Sequence, residues 1–305
     1  MMNKSKKREI LMPVVVLFIL LLAVPVVFAG FSDMWNKITG WATSEITTVS
    51  ISVGNNAPIL EFVSAIPAQS VTESGTASVV FSFTATDIDG VGNLNDNLAQ
   101  ARFQRAGETT RENLSCAWVS DIDTDTANYT CTIDIWYWDG AGSWTINATI
   151  EDINSAKGEN SSTTFTLQET TAMVMSPIAL TWPTINLTDT NVLSNNDPVT
   201  INNTANKDIT AGNVKVAAID LQGETTSTDF IYANNFSVNV NDACEGTVMV
   251  NNTATAVSGA TITAGNNSAG QGQEELYSCL EGMLQTISAQ TYSTAGLGSW
   301  TISVS

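Results

Sequence analysis

Gly142-Ser143-Trp144-Thr145-Ile146-Asn147-Ala148-Thr149-Ile150 sets an apolar residue at every second position behind a turn-forming glycine. Trp144, Ile146, Ala148 and Ile150 therefore share one face of a pleated strand, while Thr145, Asn147 and Thr149 take the other. The first five residues recur as Gly298-Ser299-Trp300-Thr301-Ile302, followed by Ser303-Val304, so the same kind of strand heads a late run in each half of the chain. Outward from these two copies lie short runs rich in Val, Ile, Thr and aromatics: Thr47 to Val53, Ser78 to Ala85, Asn128 to Trp136 and Thr163 to Leu167, then Pro198 to Ile201, Asn213 to Ile219 and Phe230 to Val240. Gly, Asn, Asp and Pro separate them at intervals of about 8 to 12 residues, the spacing of an all-β sandwich or barrel. No helical period of comparable strength follows residue 45.

The chain has 305 residues, 43% of them apolar and 13% charged, which is enough apolar material for real cores. The Gly-Ser-Trp-Thr-Ile repeat divides it into two related β-sandwiches, 57–170 and 171–305, with the boundary near Thr170 to Ala172. Ahead of them, Lys4, Lys6, Lys7 and Arg8 precede an uncharged apolar run from Ile10 to Ala29. That is the layout of an export signal, with residues 1–30 either a signal peptide cleaved after Val27-Phe28-Ala29 or a membrane-anchoring helix. Phe31, Trp35, Ile38 and Ala42 recur at helical spacing in the segment 31–56 that joins this run to the first sandwich.

Charge and composition exclude whole classes of function. Eleven Lys and Arg stand against 30 Asp and Glu, and beyond residue 30 the balance is 7 basic to 29 acidic, or −22. A surface that negative repels phosphate backbones, so no nucleic-acid partner is expected. The chain contains no histidine, which removes Ser-His-Asp and Cys-His catalysis and every His-containing zinc site. A pair of carboxylates facing across a cleft is the arrangement that spacing alone leaves open; the reading remains a non-catalytic protein.

Four cysteines fall two to a sandwich, and in an exported chain the pairing that closes the shortest loops is Cys116 with Cys131 and Cys244 with Cys279. If Cys116 faces Cys131 across an antiparallel hairpin, counting inward sets Trp118 opposite Tyr129 on the face of the bridge. Loop-closure entropy would then contribute about 3 kcal/mol for the first bridge and roughly 4 kcal/mol for the second.

Trp136-Tyr137-Trp138-Asp139-Gly140, followed by Gly142 to Asn147, Glu151-Asp152 and Ser162 to Thr166, resembles the closing strands of the immunoglobulin-like and PKD-like domains of archaeal cell-surface proteins. Asp197-Pro198-Val199-Thr200-Ile201-Asn202-Asn203 with Asn235-Phe236-Ser237-Val238 resembles a second such domain. The resemblance covers most of residues 57 to 305 and implies two tandem immunoglobulin-like β-sandwiches with a surface, adhesion or filament role. It departs from antibody domains in the cysteines, whose separation of 15 positions suits a hairpin and is too short to join two sheets.

Several polar clusters are candidate sites. Asp121-Ile122-Asp123-Thr124-Asp125 places three carboxylates at alternate positions, as calcium loops do, but Thr126 and Thr132 stand where a helix-hand loop needs Gly and Glu. A solvated acidic turn explains it equally. Asp87 to Asp96 is a second oxygen-rich loop that calcium at a domain end, or plain turn chemistry, would account for. Trp136 and Trp138 share a strand face with Thr132 and Asp134, where they would stack on a glycan, pack on a neighbouring subunit or fold over the sandwich rim. Beyond the export signal, sequons occur at Asn113, Asn128, Asn147, Asn160, Asn186, Asn202, Asn235, Asn251 and Asn266, with Asn147 the best glycosylation candidate because its strand turns it outward. Asn251 to Gln273 reads as a long mobile excursion with no chemistry. The expected partners are other cell-surface proteins or copies of this chain, glycans, and the membrane if the apolar helix stays uncleaved. Thr47 to Val53 is expected to be the first strand of the first sandwich or a strand given to a neighbour.

Overall fold

The computed structural model describes residues 48–305 apart from 269, 284 and 285. The chain separates into Met1–Gly54 and Asn55–Ser305. Of the first unit only Thr48–Gly54 is among the described residues; it is exposed and in no strand. The basic cluster, the apolar run from Ile10 to Ala29 and the aromatics from Phe31 to Ala42 lie outside the described residues. No helix among the described residues is long and apolar enough to cross a membrane.

Among the described residues, Asn55–Ser305 is all-β, interrupted by three single-turn 3-10 segments. Eight strands build a first sandwich: β1 (Ile59–Val63), β2 (Thr76–Thr86), β3 (Gln100–Gln104), β4 (Arg111–Asn113), β5 (Ala117–Asp121), β6 (Thr126–Trp136), β7 (Gly142–Glu151) and β8 (Lys157–Leu167). They form two antiparallel sheets in the orders β1-β2-β6-β5 and β4-β3-β7-β8. Lettered in chain order, these are the A-B-E-D and C′-C-F-G faces of an immunoglobulin-type sandwich. Gln69, in the crossing segment after β1, pairs in parallel with Leu167 of β8, so the outer edge of that strand is also covered there. The first strand is thus Ile59–Val63, not Thr47–Val53.

Period-two alternation produces the core directly. β2 and β6 pair without a bulge from Thr76 opposite Trp136 to Thr86 opposite Thr126, and every second residue of β6 from Ala127 to Ile135 is buried. Phe83, Phe103, Tyr129, Trp144 and Ile146 are fully enclosed, with Phe103 4.7 Å from Phe165 and Phe83 stacked at 5.3 Å on Tyr129.

The second sandwich contains β9 (Met173–Ser176), β10 (Val192–Leu193), β11 (Val199–Asn203), β12 (Val214–Ala218), β13 (Leu221–Gly223), β14 (Phe230–Ile231), β15 (Phe236–Asn239), β16 (Thr247–Val248), β17 (Thr253–Ala256), β18 (Gln273–Leu280), β19 (Tyr292–Ser293) and β20 (Thr301–Val304). One sheet runs β16-β15-β18-β11-β9, with β10 also on β18. The opposing ladders are β17-β12-β20 and β14-β13-β19, and β12 leads into β13 after two residues. The letters become A-B-E-D against C′-C-F, with β12/β13 as C, β14 as C′ and β19/β20 as F, while β16 and β17, between D and E in the chain, are extra edge strands on D and C. Among the described residues, no strand lies beside β20 where β8 lies beside β7.

Two sequence expectations are corrected here. The run Phe230 to Val240 is two strands on opposite sheets, because the 3-10 turn Ala233–Asn235 carries the chain across and anchors there through Asn235 Nδ2, which donates to Gly282 O at 2.6 Å. Asn251 to Gln273 is not a free excursion: it supplies β17, and Val257, Ala260 and Ile262 are buried, with Ile262 bridged to Ile209. Small side chains at those positions reach the core without registering as an apolar run.

Both disulfides form within their sandwiches, Cys116–Cys131 with Cα atoms 4.6 Å apart and Cys244–Cys279 at 5.3 Å. Cys131 and Cys279 both stand on the E strand, β6 and β18. Trp118 lies opposite Tyr129, as the hairpin count requires. The two rings do not pack together, because β5 is an edge strand: Trp118 stays exposed with its indole N–H on Asp121, while Tyr129 turns inward onto Phe83.

Candidate functional site

Acidic loops gather at one end of the first sandwich, where the β2–β3 loop, the β5–β6 turn and the β7–β8 turn meet. Asp87 N donates to Asp125 O and Val91 N to Thr124 O, both at 2.8 Å, stitching the first two loops together. In the expected calcium loop, Asp123 Oδ1 accepts from the N–H groups of Asp125 and Thr126 at 2.9 and 2.8 Å, which holds its carboxyl below the ordinary range. Asp121 Oδ1 accepts from Trp118 Nε1 at 3.1 Å. These hydrogen bonds account for Asp121 and Asp123 as turn builders, and no three acidic, cysteine or histidine side chains among the described residues converge closely enough to hold a metal. Nearby, Asp152 accepts from Asn55 Nδ2 at 2.6 Å and from Asn154 and Ala156 N–H, while Asp89 accepts from Asn56. Asp87 is fully buried, and its Oδ2 has no hydrogen-bond partner.

Trp136 and Trp138 are brought together with rings stacked 4.8 Å apart, but not by a shared strand face: Trp136 is the last residue of β6, and Trp138 lies in the turn after it and packs against the core. Trp136 is 39% exposed. Beneath them Asp139 is buried and accepts from Arg111 Nε at 2.9 Å and from Trp136 N–H at 2.8 Å, so the Asp-Gly turn after β6 is clamped to β4. The Arg111 guanidinium also stands 6.0 Å over the Trp138 ring. Trp136, Thr132, Asp134, Glu112, Asn113 and Thr110 line a shallow pocket of about 430 Å³ with mixed polar and aromatic walls.

Most sequon side chains are already committed to the fold. Asn235 is buried, Asn113 Nδ2 donates to Thr132 O, Asn160 Nδ2 to Leu60 O and Asn251 Nδ2 to Asp220. Asn147 lies half-buried on the outer face of β7 between β3 and β8, its Oδ1 without a partner. Asn266 sits exposed in a loop.

A larger concavity lies in the second sandwich, and single-residue chemistry gave no pointer to it. A cleft of about 900 Å³ opens between the segment 175–187 and β20, over a floor of Phe236, Leu280, Leu221 and Ile231. Trp182, Phe236 and Trp300 form its aromatic wall, with Phe236 and Trp300 edge to face at 5.3 Å and Trp182 and Phe236 at 5.1 Å. No Asp, Glu, Lys or Arg lines it among the described residues. The cleft therefore offers an uncharged surface in which aromatic and aliphatic side chains alternate with hydroxyl and amide groups such as Thr181, Asn186 and Gln290. The signal that could have marked it was the density of Met, Ile, Leu and Trp from Met173 to Leu187, which is too rich in Pro and Thr to read as a strand.

No family model matches the chain, and no curated protein does. Among solved structures, a chimeric titin Z1Z2-Z1Z2 tandem functionalized with a GRGDS exogenous peptide from fibronectin is similar at 15% identity over 72% of this chain and 96% of that one, with a TM-score of 0.19. Backbones related by that score do not superpose as wholes, so the immunoglobulin-type description stands on the strand order of this chain.

Proposed function

We propose that this is an exported, non-catalytic structural or adhesive protein of the cell exterior, which joins others of its kind in a surface layer or filament. The observation that carries the proposal is the open, uncharged cleft walled by Trp182, Phe236 and Trp300, because an aromatic-lined groove left in water is a feature that association satisfies. Two disulfides suit an oxidising compartment, and the basic-then-apolar start of the sequence suits export. Electron microscopy and light scattering on the exported chain test it. Ordered filaments or lattices are expected, and monodisperse monomers across the accessible concentration range would overturn it.

A second reading draws on the Trp136 pocket, where an exposed indole beside Asp134, Glu112 and Thr132 has the make-up of a glycan-stacking platform. Glycan binding that disappears in Trp136→Ala while the melting temperature holds would favour it.

A further inference from the structure

We propose that the pocket beside Trp136 receives an extended segment of a basic partner protein, which pairs with the open edge of β6 at Asp134 and lays a lysine or arginine side chain along the Trp136 indole. The inference goes beyond the assembly reading and does not depend on it.

β6 has two strand partners along its first half and one along its second. β2 follows it from Thr126 to Trp136, whereas its pairing with β5 ends at Thr130 opposite Ala117. The edge from Thr132 to Trp136 therefore faces β4, a strand of the other sheet, across the pocket of about 430 Å³. Backbone N–H and C=O groups point to alternate sides along an antiparallel strand, and here the alternation can be followed. Tyr137 N, just past β6, donates to Gly75 O at the head of β2 at 2.9 Å. Thr132 O accepts from Asn113 Nδ2 of β4 at 3.0 Å, and Trp136 N donates to Asp139 Oδ2 at 2.8 Å. Even-numbered residues thus direct their backbone groups away from β2, and Asp134, between Thr132 and Trp136, points its N–H and C=O into the pocket. Among the described residues neither of these two groups has a partner.

Side chains around this open backbone pair define the ligand. Asp134 is exposed on the outer face of β6, accepts from Ser78 Oγ at 2.6 Å and takes part in no ion pair among the described residues. Glu112 on the β4 wall adds a second carboxylate, which Arg102 meets at 3.0 Å with both side chains nearly half exposed. Arg111 brings no net charge to the pocket, because the buried Asp139 neutralises it. The Trp136–Trp138 stack already carries one cation, the Arg111 guanidinium, 6.0 Å from the Trp138 ring. An exposed indole beside a carboxylate without a counter-ion attracts another through the ring quadrupole and the charge together. A residue paired opposite Asp134 projects its side chain onto the same face, where a basic group reaches the carboxylate and its methylene stem covers the indole two positions along. The −22 carried beyond residue 30 steers basic partners towards this surface. Sugars also stack on indoles, but a donor and an acceptor set on one strand residue match the backbone of a second strand.

Calorimetry and tryptophan emission on the full exported chain test this with the synthetic peptide acetyl-Thr-Val-Lys-Val-Thr-amide. The peptide should bind, more weakly as salt is raised, and the same peptide with glutamine in place of lysine should not. A peptide methylated on the backbone nitrogen of its lysine should also lose binding, which separates strand pairing from capture of the ammonium alone. Asp134→Asn alters an exposed side chain, so it should keep the parental melting temperature while weakening the peptide about fivefold. Trp136→Ala should weaken it about tenfold. A lysine peptide that does not bind, that binds the parent and Asp134→Asn alike, or that tolerates methylation of the lysine nitrogen would overturn the inference. A pocket that takes maltohexaose and not the peptide would overturn it in favour of the glycan reading. Filament formation is scored separately by light scattering and has no bearing on these outcomes.

Discussion

At Asp87 the fold holds a carboxylate where its hydration is lost. Burial is the main cause of its raised pKa, with the charges of Asp89, Asp152 and Asp125 adding to it and the Asp89 N–H opposing. A carboxyl whose pKa is higher folded than unfolded binds its proton more tightly in the native state. Its contribution is therefore most favourable below the ordinary carboxylate value of about 3.9 and is lost as pH rises through the raised one. Asp87→Asn should melt above the parent at pH 7, by about 4 °C if roughly 1 kcal/mol is recovered, and the difference should close near pH 3. Thermal melts across that range decide it, and a lower melting temperature at pH 7 would show that the carboxylate charge serves the fold. Arg111 and Asp139 present the opposite case, since both ends of that buried pair are satisfied. Arg111→Met leaves Asp139 enclosed without its counter-ion, so urea unfolding should show a loss of about 3–5 kcal/mol, and Asp139→Asn in the same chain should return part of it.

The two copies of one strand motif allow a comparison at the level of elements. Trp144→Ala empties an enclosed site and should cost about 3–5 kcal/mol, whereas Trp300→Ala, on a half-covered strand, should cost less than half of that in the unassembled chain. Equal losses in chemical denaturation would mean that β20 is as well covered as β7. Strands with strict alternation, β2, β6, β7 and β12, were legible in the sequence because one face is core and the other water. β3 and β18 were not: Gln100-Ala101-Arg102-Phe103-Gln104 and Gln273-Glu274-Glu275-Leu276 put polar side chains outward at densities that read as loop, and only pairing with β7 and β11 reveals them. Of the sites, the stacking of Trp136 on Trp138 did not follow from period two, because β6 ends at Trp136 and the turn after it carries Trp138 onto the neighbouring ring. Nor did the cleft, because its walls come from segments as distant in sequence as Trp182, Phe236 and Trp300, and no local pattern of residues records that.

On the scale of the whole described unit, the junction between the sandwiches decides whether an assembly of the chain would be stiff or pliant. The junction is polar yet enclosed. Asn206 is buried, accepts from Thr170 N and Oγ1 at 2.8 and 3.0 Å, and donates from Nδ2 to Gln168 O at 2.9 Å, so one side chain ties the end of the first sandwich to the second. Thr204 adds a bond from Ser74 N to its carbonyl at 3.0 Å and another from its hydroxyl to Glu73 at 2.9 Å, and Lys207 reaches Glu169 at 3.2 Å. The ion pair is exposed enough to contribute little, whereas the Asn206 bonds are shielded from water and leave buried groups unpaired when cut. Asn206→Ala should therefore leave both cores and both disulfides intact while freeing the connection at Gln168 to Ala172. Limited proteolysis should cut that connection in the variant and spare it in the parent, and filaments grown from the variant should curve more in micrographs. A connection equally resistant in both chains would mean that the apolar contacts around it, and not the Asn206 network, fix the two sandwiches to each other.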